Sequence, residues 1–293
     1  MKKNKKYPAN TAVLLAAYNG IKWIEEQVES ILNQKGVNIN IYVSVDLSAD
    51  NTYQWCQDLA KQNAHVKVLP YGECFGGAAK NFFYLIRNVD FSAYDYISLA
   101  DQDDIWLPNK LSHAVETIKR KDVCALSSNV TAFFLNGHEL LIEKSQPQKK
   151  FDHLFEAAGP GCTYVFKSDA LQQFKDFLIL NWNAVNDIEL HDWMMYAYFR
   201  EHNLDWHIDS KPLMRYRIHE SNQVGANSGF KAYQKRFSMI KNGWYRKQVE
   251  DIRTLVSPNL ALNRLFLIKN FWQLRRQPKE AVILLFLLVL GIY

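Results

Sequence analysis

The sequence predicts an α/β fold: a mostly parallel sheet with helices on both faces, followed by a C-terminal helical extension. Short apolar runs typical of buried strands alternate with segments in which apolar residues recur at helical spacing. Such alternation is typical of parallel sheets, because each crossover places a helix on one face of the sheet. Beyond Gly229 the composition becomes basic, aromatic and helix-favouring, which predicts the extension.

The predicted strands and helices follow one another closely along the first 130 residues. Asn19 and Gly20 end the first strand, Asp50 is a candidate N-cap, and Pro108 opens a helix where proline is tolerated. In such sheets, ligands bind beyond the carboxyl ends of the strands. Strands are predicted at Ala12–Ala16, Ile39–Val45, Val66–Leu69, Tyr94–Ala100 and Val123–Ser127, and helices at Trp23–Leu32, Asp50–Ala60, Ala78–Val89 and after Pro108.

Length, composition and cysteine content restrict the class of protein. The 293 residues suffice for one large domain with an appendage, and 48 % hydrophobic residues are typical of a folded chain. The four cysteines lack metal-ligand spacing, which favours reduced thiols in the cytosol. The basic N-terminus resembles a signal peptide, but the apolar run after it has only six residues and is interpreted as a buried strand.

Positive charge is concentrated at both ends of the chain. The formal net charge is +5, yet twelve bases face only three acids between Lys231 and Glu280. Nucleic acid and an anionic membrane leaflet are the two polyanions that such a stretch could bind. We therefore expect two regions: a main α/β domain, residues 1–230, and a basic, aromatic and apolar helical extension, residues 231–293.

The last thirteen residues, Ala281–Tyr293, are almost entirely apolar. As a helix they would extend about 20 Å, which is short of a hydrocarbon core of about 30 Å. With the bases and aromatic residues before them they suit a membrane interface, which predicts a peripheral protein on the cytoplasmic face of the cell membrane. A packed core helix or an oligomer contact, and so a homo-oligomer, is the alternative. Nucleic acid would not explain the apolar run, so we expect none as a partner.

Three carboxylates within four residues follow the fourth predicted strand, at Asp101, Asp103 and Asp104. They repel one another unless a cation or hydrogen-bond donors offset their charge. Mg²⁺ typically binds one or two carboxylates together with substrate phosphates, so a metal–diphosphate site is one interpretation. A solvated acidic turn that caps the next helix is the other, and the spacing alone favours neither.

The sequence Ala-Asp-Gln-Asp-Asp-Ile-Trp at residues 100–106, followed by Leu107–Leu111, closely resembles the family 2 inverting glycosyltransferases. Within that family it is most similar to the bacterial rhamnosyltransferases of cell-wall and capsule polysaccharide synthesis. The resemblance extends from about Thr11 to Gly225. It implies a GT-A fold, in which residues 1–230 are the catalytic domain, a nucleotide-sugar donor and a divalent metal, Mg²⁺ or Mn²⁺.

The resemblance implies roles for residues of the donor site. Ala16 and Tyr18 match the first nucleotide loop, where the tyrosine packs on the base. Asp46 matches an aspartate that accepts a hydrogen bond from the pyrimidine imide, and Lys80 falls near the diphosphate. The family's Asp-Asp-Gly-Ser-Thr-Asp is Val-Asp-Leu-Ser-Ala-Asp at residues 45–50 here, so one acid and the turn glycine are missing.

The same comparison implies a metal site. Asp101 and Asp103 match the two ends of the family's Asp-x-Asp, one near the ribose and diphosphate and the other, Asp103, on the metal. The segment Tyr216–Asn222 resembles the family's Tyr-Arg-x-His-x-x-Asn. His219 would then reach the metal or the diphosphate, with Arg217 close to the diphosphate. Without the resemblance, His219 is simply a surface histidine on a loop.

The candidate general base is Asp192. Its position at a predicted helix start is explained most simply by capping. The resemblance instead aligns it with the family's catalytic acid, and it implies that the neighbouring His191 and Trp193 contact substrate. A carboxylate that takes the proton of a sugar hydroxyl accelerates transfer by roughly 10²–10⁴-fold. Gly161 matches the loop on the acceptor side, where a small residue lets the backbone approach a sugar.

The implied reaction is a single displacement at the anomeric carbon. The best-matching version moves L-rhamnose from dTDP-rhamnose to a lipid-linked saccharide during bacterial surface polysaccharide synthesis. A transferase that uses a UDP-sugar, such as UDP-galactose or UDP-N-acetylglucosamine, is the first alternative. A degenerate, non-catalytic membrane-bound partner is the second, favoured only by the missing acid at Val45.

Overall fold

Two sheets organise the molecule, which the computed structural model describes over residues 8–219 and 242–293. The strands are β1 (Ala9–Ala17), β2 (Val37–Val45), β3 (Val66–Val68), β4 (Tyr96–Ala100), β5 (Ile105–Trp106), β6 (Ala125–Ser128), β7 (Val130–Phe134), β8 (Glu139–Ile142), β9 (Val165–Lys167), β10 (Trp206–Asp209) and β11 (Met214–Ile218). A 7-stranded sheet has the order β10-β6-β9-β4-β1-β2-β3, and a 4-stranded sheet has the order β5-β11-β7-β8.

Helices connect the strands and cover the larger sheet. They are α1 (Ile24–Leu32), α2 (Thr52–Gln62), α3 (Ala78–Asn88), α4 (Lys110–Lys121), α5 (Ser168–Leu180), α6 (Trp182–Val185), α7 (His191–Glu201), α8 (Trp244–Val256), α9 (Arg264–Asn270) and α10 (Pro278–Leu290). Short 3-10 turns lie at Asp152–Leu154, Gly161–Thr163 and Phe271–Gln273.

The predicted α/β fold is confirmed. Each strand and helix predicted in the first 130 residues is present, with ends shifted by at most three residues. The largest shift is at β1, which begins at Ala9 because it pairs there with Val37 of β2. The sheet is mostly parallel as expected, but β9 lies between β4 and β6 and runs antiparallel to both.

The carboxyl ends of β1, β2 and β4 lie side by side at one edge of the larger sheet. β1 is the middle strand of the three, and the parallel register pairs its Leu15 with Ala100 of β4 and its Ala17 with Val45 of β2. The sequences that follow these three strands are therefore held together at this edge, where ligands of parallel sheets bind.

The C-terminal helices share the core of the main domain. Val249 and Ile252 of α8, with Leu284 and Leu288 of α10, belong to the same buried cluster as Phe82 of α3. The predicted boundary near residue 230 lies outside the described residues. On either side of it, the chain contributes to one continuous hydrophobic core.

Helix α10 has a packed face and an exposed face. The predicted alternative, a packed core helix, therefore describes only the buried face, because the other face is exposed. Among residues 8–219 and 242–293, no helix combines the length and apolarity required to span a bilayer. The buried side chains are Ala281, Leu284, Leu287 and Leu288, and the exposed ones are Val282, Ile283, Phe286, Val289 and Leu290.

This packing predicts that truncating a buried and an exposed leucine of α10 lowers the free energy of unfolding by different amounts. Leu288→Ala removes a side chain that is 2 % exposed, so it should lower the free energy of unfolding by about 2–5 kcal/mol. Leu290→Ala removes one that is 55 % exposed and should change it by no more than about 0.5 kcal/mol. Urea unfolding followed by circular dichroism measures both. Equal losses in the two variants would contradict the packing of α10 described above.

Candidate active site

The acidic turn after β4 is tied to the turn after β1 by the side chain of Gln102. Its Oε1 accepts a hydrogen bond from the Tyr18 amide and its Nε2 donates to the Tyr18 carbonyl, each at 2.7 Å. Gly20 is required beside it, because a Cβ there would lie 2.1 Å from Gln102 Oε1. The two backbone bonds fix Tyr18 while its ring stays 55 % exposed at the sheet edge, accessible to a base.

Asp103 and His219, the two predicted metal ligands, are brought together across the site. Asp103 Oδ2 and His219 Nε2 lie 2.7 Å apart, and the imidazole stacks on the Trp23 ring at a centroid distance of 6.0 Å. Two ligands of one octahedral Mg²⁺, each at about 2.1 Å, would be separated by about 3 Å. The pair therefore fits a single divalent cation with little movement of either side chain.

Surplus negative charge surrounds this pair. Burial, and then the charge of Asp103, raises the pKa of Asp101 to about 7. The same causes raise the pKa of the fully buried Asp104, whose Oδ2 has no hydrogen-bond partner among the described residues. Asp101, Asp104 and Cys162 bring potential ligand atoms within 4.8 Å of one another. A divalent cation at the turn would offset this charge, so the residues present fit the implied metal.

Lys110 is the buried counter-charge below the turn. Its Nζ lies 3.6 Å from the centroid of the Trp106 ring and makes no hydrogen bond to the described residues. Burial lowers its pKa to about 7, against the raising effects of Cys162 and Asp104. Lys110 therefore offsets part of the charge of the acidic turn through space, without a direct ion pair to a carboxylate.

Arg217 supports the acidic turn, and its predicted contact with the diphosphate remains a prediction. Its amide donates to Asp104 Oδ1 at 3.1 Å, its Nε donates to the Asp103 carbonyl at 2.7 Å, and its guanidinium pairs with Glu26. The guanidinium is also stacked between Trp23 and Phe133, at 4.4 and 4.6 Å from their centroids. With 7 % of its side chain exposed, Arg217 holds the turn in place and presents almost no surface to a ligand.

Asp46 lies at the end of β2, where it holds a loop. Its Oδ1 accepts hydrogen bonds from the amides of Leu47 and Phe75 at 2.7 and 2.9 Å, and its Oδ2 accepts one from Gly76 at 3.1 Å. The glycine-rich segment before α3 is thereby fixed over β2. The predicted bond to a pyrimidine imide remains a prediction, and it would share a carboxylate that the backbone already uses.

The other predicted donor residues lie at the same edge. Ala16 is buried at the end of β1, and Lys80 is exposed in the first turn of α3. Next to Lys80, the buried Asn81 donates to the carbonyls of Ala17 at 3.4 Å and Ser44 at 3.2 Å. Asn81 thus fixes the start of α3 against β1 and β2, which places Lys80 beside the predicted diphosphate region.

Asp192 lies in the first turn of α7 and faces the acidic turn. Its Oδ1 accepts a hydrogen bond from the Trp193 amide at 2.8 Å, and the N-cap of the helix is Leu190. Burial raises its pKa to about 6. Its charge contributes to the raised pKa of Asp101. A carboxylate with this pKa is ionised at neutral pH yet basic enough to take a proton.

His191 fills the space next to Gly161 that the sequence analysis assigned to the acceptor sugar. A Cβ at residue 161 would lie 2.3 Å from His191 Nε2, so the glycine admits the imidazole. The ring stacks on Phe82 at 4.2 Å, and burial lowers its pKa to about 3, which keeps it neutral. Gly161 and His191 therefore position the start of α7, and any contact with substrate remains a prediction.

Trp193 is packed in the core, and its predicted contact with substrate remains a prediction. It is 3 % exposed, and its indole Nε1 donates to the His153 carbonyl at 2.9 Å. The ring stacks on Tyr245 of α8 at a centroid distance of 5.5 Å. Trp193 therefore connects the helix of the candidate base to the C-terminal helices.

The sequence analysis missed Gln102, Trp23 and Lys110 as contributors to the site. Gln102 lies inside the recognised motif, and its position between two aspartates was the only signal available. Trp23 and Lys110 occupy helical segments whose other residues build the core. Their roles depend on contacts with residues distant in sequence, such as His219 and Cys162.

Comparison with known proteins identifies the family. The model of glycosyl transferase family 2 matches residues 12–177. The chain is 45 % identical over 289 residues to the dTDP-rhamnosyl transferase RfbG of Shigella flexneri, with 95 % of this chain and 100 % of that protein covered. It is 25 % identical over 156 residues to the UDP-Glc:alpha-D-GlcNAc-diphosphoundecaprenol beta-1,3-glucosyltransferase WfgD of Escherichia coli, with 53 % of this chain and 58 % of that one covered.

Solved structures share the fold. TarS 1-349 of S. aureus in complex with UDP-GlcNAc has a TM-score of 0.56 at 14 % identity, over 92 % of this chain and 77 % of that one. The mannosyltransferase PcManGT of Pyrobaculum calidifontis, in complex with GDP-Man and Mn2+, has a TM-score of 0.51 at 14 % identity, over 97 % and 85 %. The family match and the near full-length relative confirm the resemblance predicted from the motifs: the chain belongs to glycosyl transferase family 2 and is a glycosyltransferase with a GT-A fold.

Proposed function

We propose that this glycosyltransferase moves L-rhamnose from dTDP-rhamnose, with inversion, to a lipid-linked saccharide in bacterial surface polysaccharide synthesis. The observation that supports the donor is the 45 % identity to a dTDP-rhamnosyl transferase along 95 % of the chain. The lipid-linked acceptor is supported by the more distant relative whose name gives a diphosphoundecaprenol substrate.

The donor binds at the carboxyl ends of β1, β2 and β4. The exposed Tyr18 ring packs on the base, Asp46 faces the pyrimidine, and Lys80 and Asp101 lie along the ribose and diphosphate. Asp103 and His219 would hold a divalent cation, Mg²⁺ or Mn²⁺, which would neutralise charge on the diphosphate leaving group. Arg217 and Gln102 keep the acidic turn in the geometry that this arrangement requires.

Asp192 activates the acceptor. The acceptor hydroxyl gives its proton to the Asp192 carboxylate while its oxygen forms a bond to the anomeric carbon. The bond between that carbon and the diphosphate oxygen breaks, and the electron pair leaves with the diphosphate. Because Asp192 is close enough to influence Asp101, the base and the donor site belong to one cleft. A single displacement needs no covalent intermediate on the enzyme.

The donor proposal predicts a preference among nucleotide sugars. dTDP-rhamnose should raise the melting temperature and be hydrolysed slowly in the presence of Mn²⁺. At a hundredfold excess over its Kd, a ligand stabilises the folded state by about 2.7 kcal/mol. Thermal shift and release of nucleoside diphosphate are measured in parallel for dTDP-rhamnose, UDP-glucose, UDP-galactose and UDP-N-acetylglucosamine. If only a UDP-sugar stabilises the protein and is turned over, the donor is a UDP-sugar and not dTDP-rhamnose. If no donor is turned over, a non-catalytic role is favoured.

The base proposal predicts a specific loss in Asp192→Asn. The variant should retain donor affinity and lose at least about a hundredfold in kcat, because the amide takes no proton. In the wild type, kcat should fall about tenfold per unit as the pH drops below about 6, since protonation removes the carboxylate. Asp205→Asn, at an exposed position after α7, is the matched control. Near-normal transfer by Asp192→Asn would exclude it as the base.

We also propose that the exposed face of α10 lies on an anionic membrane surface. Five apolar side chains form a stripe along this face, and two exposed lysines accompany it, Lys269 in α9 and Lys279 in the first turn of α10. Each base close to an anionic leaflet contributes roughly 1 kcal/mol, in addition to the burial of the apolar stripe. This arrangement would place the enzyme where a lipid-linked acceptor is anchored.

The membrane proposal predicts that a charge in the stripe releases the protein. Phe286→Glu, at a side chain 64 % exposed, should weaken binding to phosphatidylglycerol vesicles at least about tenfold and leave folding intact. Leu135→Glu, 71 % exposed in the turn after β7, is the control. Deleting residues 281–293 is less informative, because it also removes buried Leu284 and Leu288. Vesicle sedimentation at low and high salt measures binding, and equal binding by both variants would contradict the proposal.

A further inference from the structure

Lys144 is the second residue after β8, at the start of the loop that follows this strand. Its amide donates to Asn129 Oδ1 at 2.7 Å, and Asn129 Nδ2 donates to the Ser210 carbonyl at 3.0 Å. Its side chain runs along the backbone before Gly161: a Cβ at Gly159 would lie 3.5 Å from both Cβ and Cγ of Lys144. The start of this lysine is therefore fixed against the turn that precedes Gly161.

The charges around Lys144 come from α7, from the C-terminal segment and from the turn at residues 155–157. Glu156 and Glu280 raise its pKa, while burial lowers it more strongly. Both acids already have arginine partners. Arg276 donates to Glu156 through its amide at 2.5 Å and pairs with it at 3.3 Å, and Arg275 donates to Glu280 at 3.0 Å.

The ammonium of Lys144 is consequently the unmatched positive charge of this group. In residues 8–219 and 242–293 it makes no hydrogen bond within 3.5 Å and no ion pair within 4.0 Å. The Tyr164 hydroxyl lies 3.1 Å from the Gly159 carbonyl and 3.3 Å from the Asp192 carbonyl, so the backbone against which Lys144 packs adjoins the candidate base. The ammonium lowers the pKa of Asp192, although burial raises it more. A half-buried ammonium without a partner, next to the base, is expected to bind oxygen atoms of a ligand.

Helix α10 begins at the same place. Arg275 Nη1 donates to the Phe155 carbonyl at 2.6 Å, which fixes the segment before α10 to the turn that precedes Gly159. Glu280, in the first turn of α10, acts on Lys144. A lipid that enters along the exposed face of α10 would therefore bring its head group to Lys144 before the attached sugar reaches Asp192.

We propose that Lys144 is an acceptor-binding residue, whose ammonium contacts the diphosphate of a lipid-linked saccharide next to Asp192. This inference rests on the proposed function for the place of the acceptor, but not on the identity of the donor sugar. It assigns the acceptor diphosphate to the junction of the β8 loop, the turn at residues 155–161 and the start of α10. The donor diphosphate belongs to the separate acidic turn.

The test measures binding of decyl diphosphate to protein loaded with Mn²⁺ and saturating nucleoside diphosphate, which occupies the donor site. Lys144→Met should weaken this binding about tenfold to a hundredfold, since a charge-assisted contact is lost. Lys144→Arg should retain most of the affinity. Lys150→Met, which removes an exposed lysine that lies over Phe151, should leave it unchanged.

A second readout separates acceptor binding from a structural effect. Slow hydrolysis of the donor by water uses the donor site and Asp192 but no acceptor, so Lys144→Met should keep it within about threefold of the wild type. Unchanged decyl diphosphate affinity in Lys144→Met would overturn the inference, and so would an equal loss of hydrolysis and nucleoside diphosphate binding. The nucleoside diphosphate that binds is established beforehand, so failure of the rhamnosyl assignment is detected independently.

Discussion

The concentration of carboxylates at the end of β4 is the constraint on which the rest of the site depends. Asp101, Asp103 and Asp104 follow a buried strand, and Asp192 faces them from α7. Charges in a water-poor site repel strongly, and each ionised group must be offset by a cation or by hydrogen-bond donors. Burial and the charge of Asp103 raise the pKa values of Asp101 and Asp104, and burial raises that of Asp192.

Much of the surrounding structure serves to hold this charge in place. Arg217 fastens the backbone of the turn, Lys110 lies beneath it, and Gln102 connects it to the Tyr18 loop. These contacts leave negative charge unbalanced on the open side of the turn, where Asp103 and His219 meet. On the proposed function, a divalent cation with a diphosphate would balance this charge, and the acidic turn could then bind a nucleotide sugar that is itself an anion.

The C-terminal helices are part of this arrangement and not a separate appendage. The buried Asp152 joins them to α7, because its carboxylate accepts hydrogen bonds from Arg276 at 3.1 Å and from Arg200 of α7 at 2.9 Å. The stacking of Trp193 on Tyr245 makes a second connection. The helix that carries the candidate base is therefore held in place by contacts with the C-terminal part of the chain.

The sequence predicted the backbone of the site more completely than its side chains. Apolar periodicity located the strands that end at the site, and the motif order located the acidic turn, Asp192 and His219. The packing roles of Trp193 and Arg217 were not predicted, because neighbours in a motif need not face the same way: alternate directions along β11 and around α7 bury both. The sequence also did not show which face of α10 is buried, because the segment is apolar all round. The buried face is determined by packing against Leu267 and other core residues.

The most direct test of this account is the linkage between metal and nucleoside diphosphate. Titration calorimetry would measure the affinity of dTDP in Mn²⁺ and in EDTA, for the wild type and for Asp103→Asn. The account predicts that Mn²⁺ strengthens dTDP binding at least about tenfold in the wild type, because the cation and the diphosphate neutralise each other at the acidic turn. Asp103→Asn should lose most of that gain. Equal dTDP affinity in Mn²⁺ and in EDTA for the wild type would contradict the account.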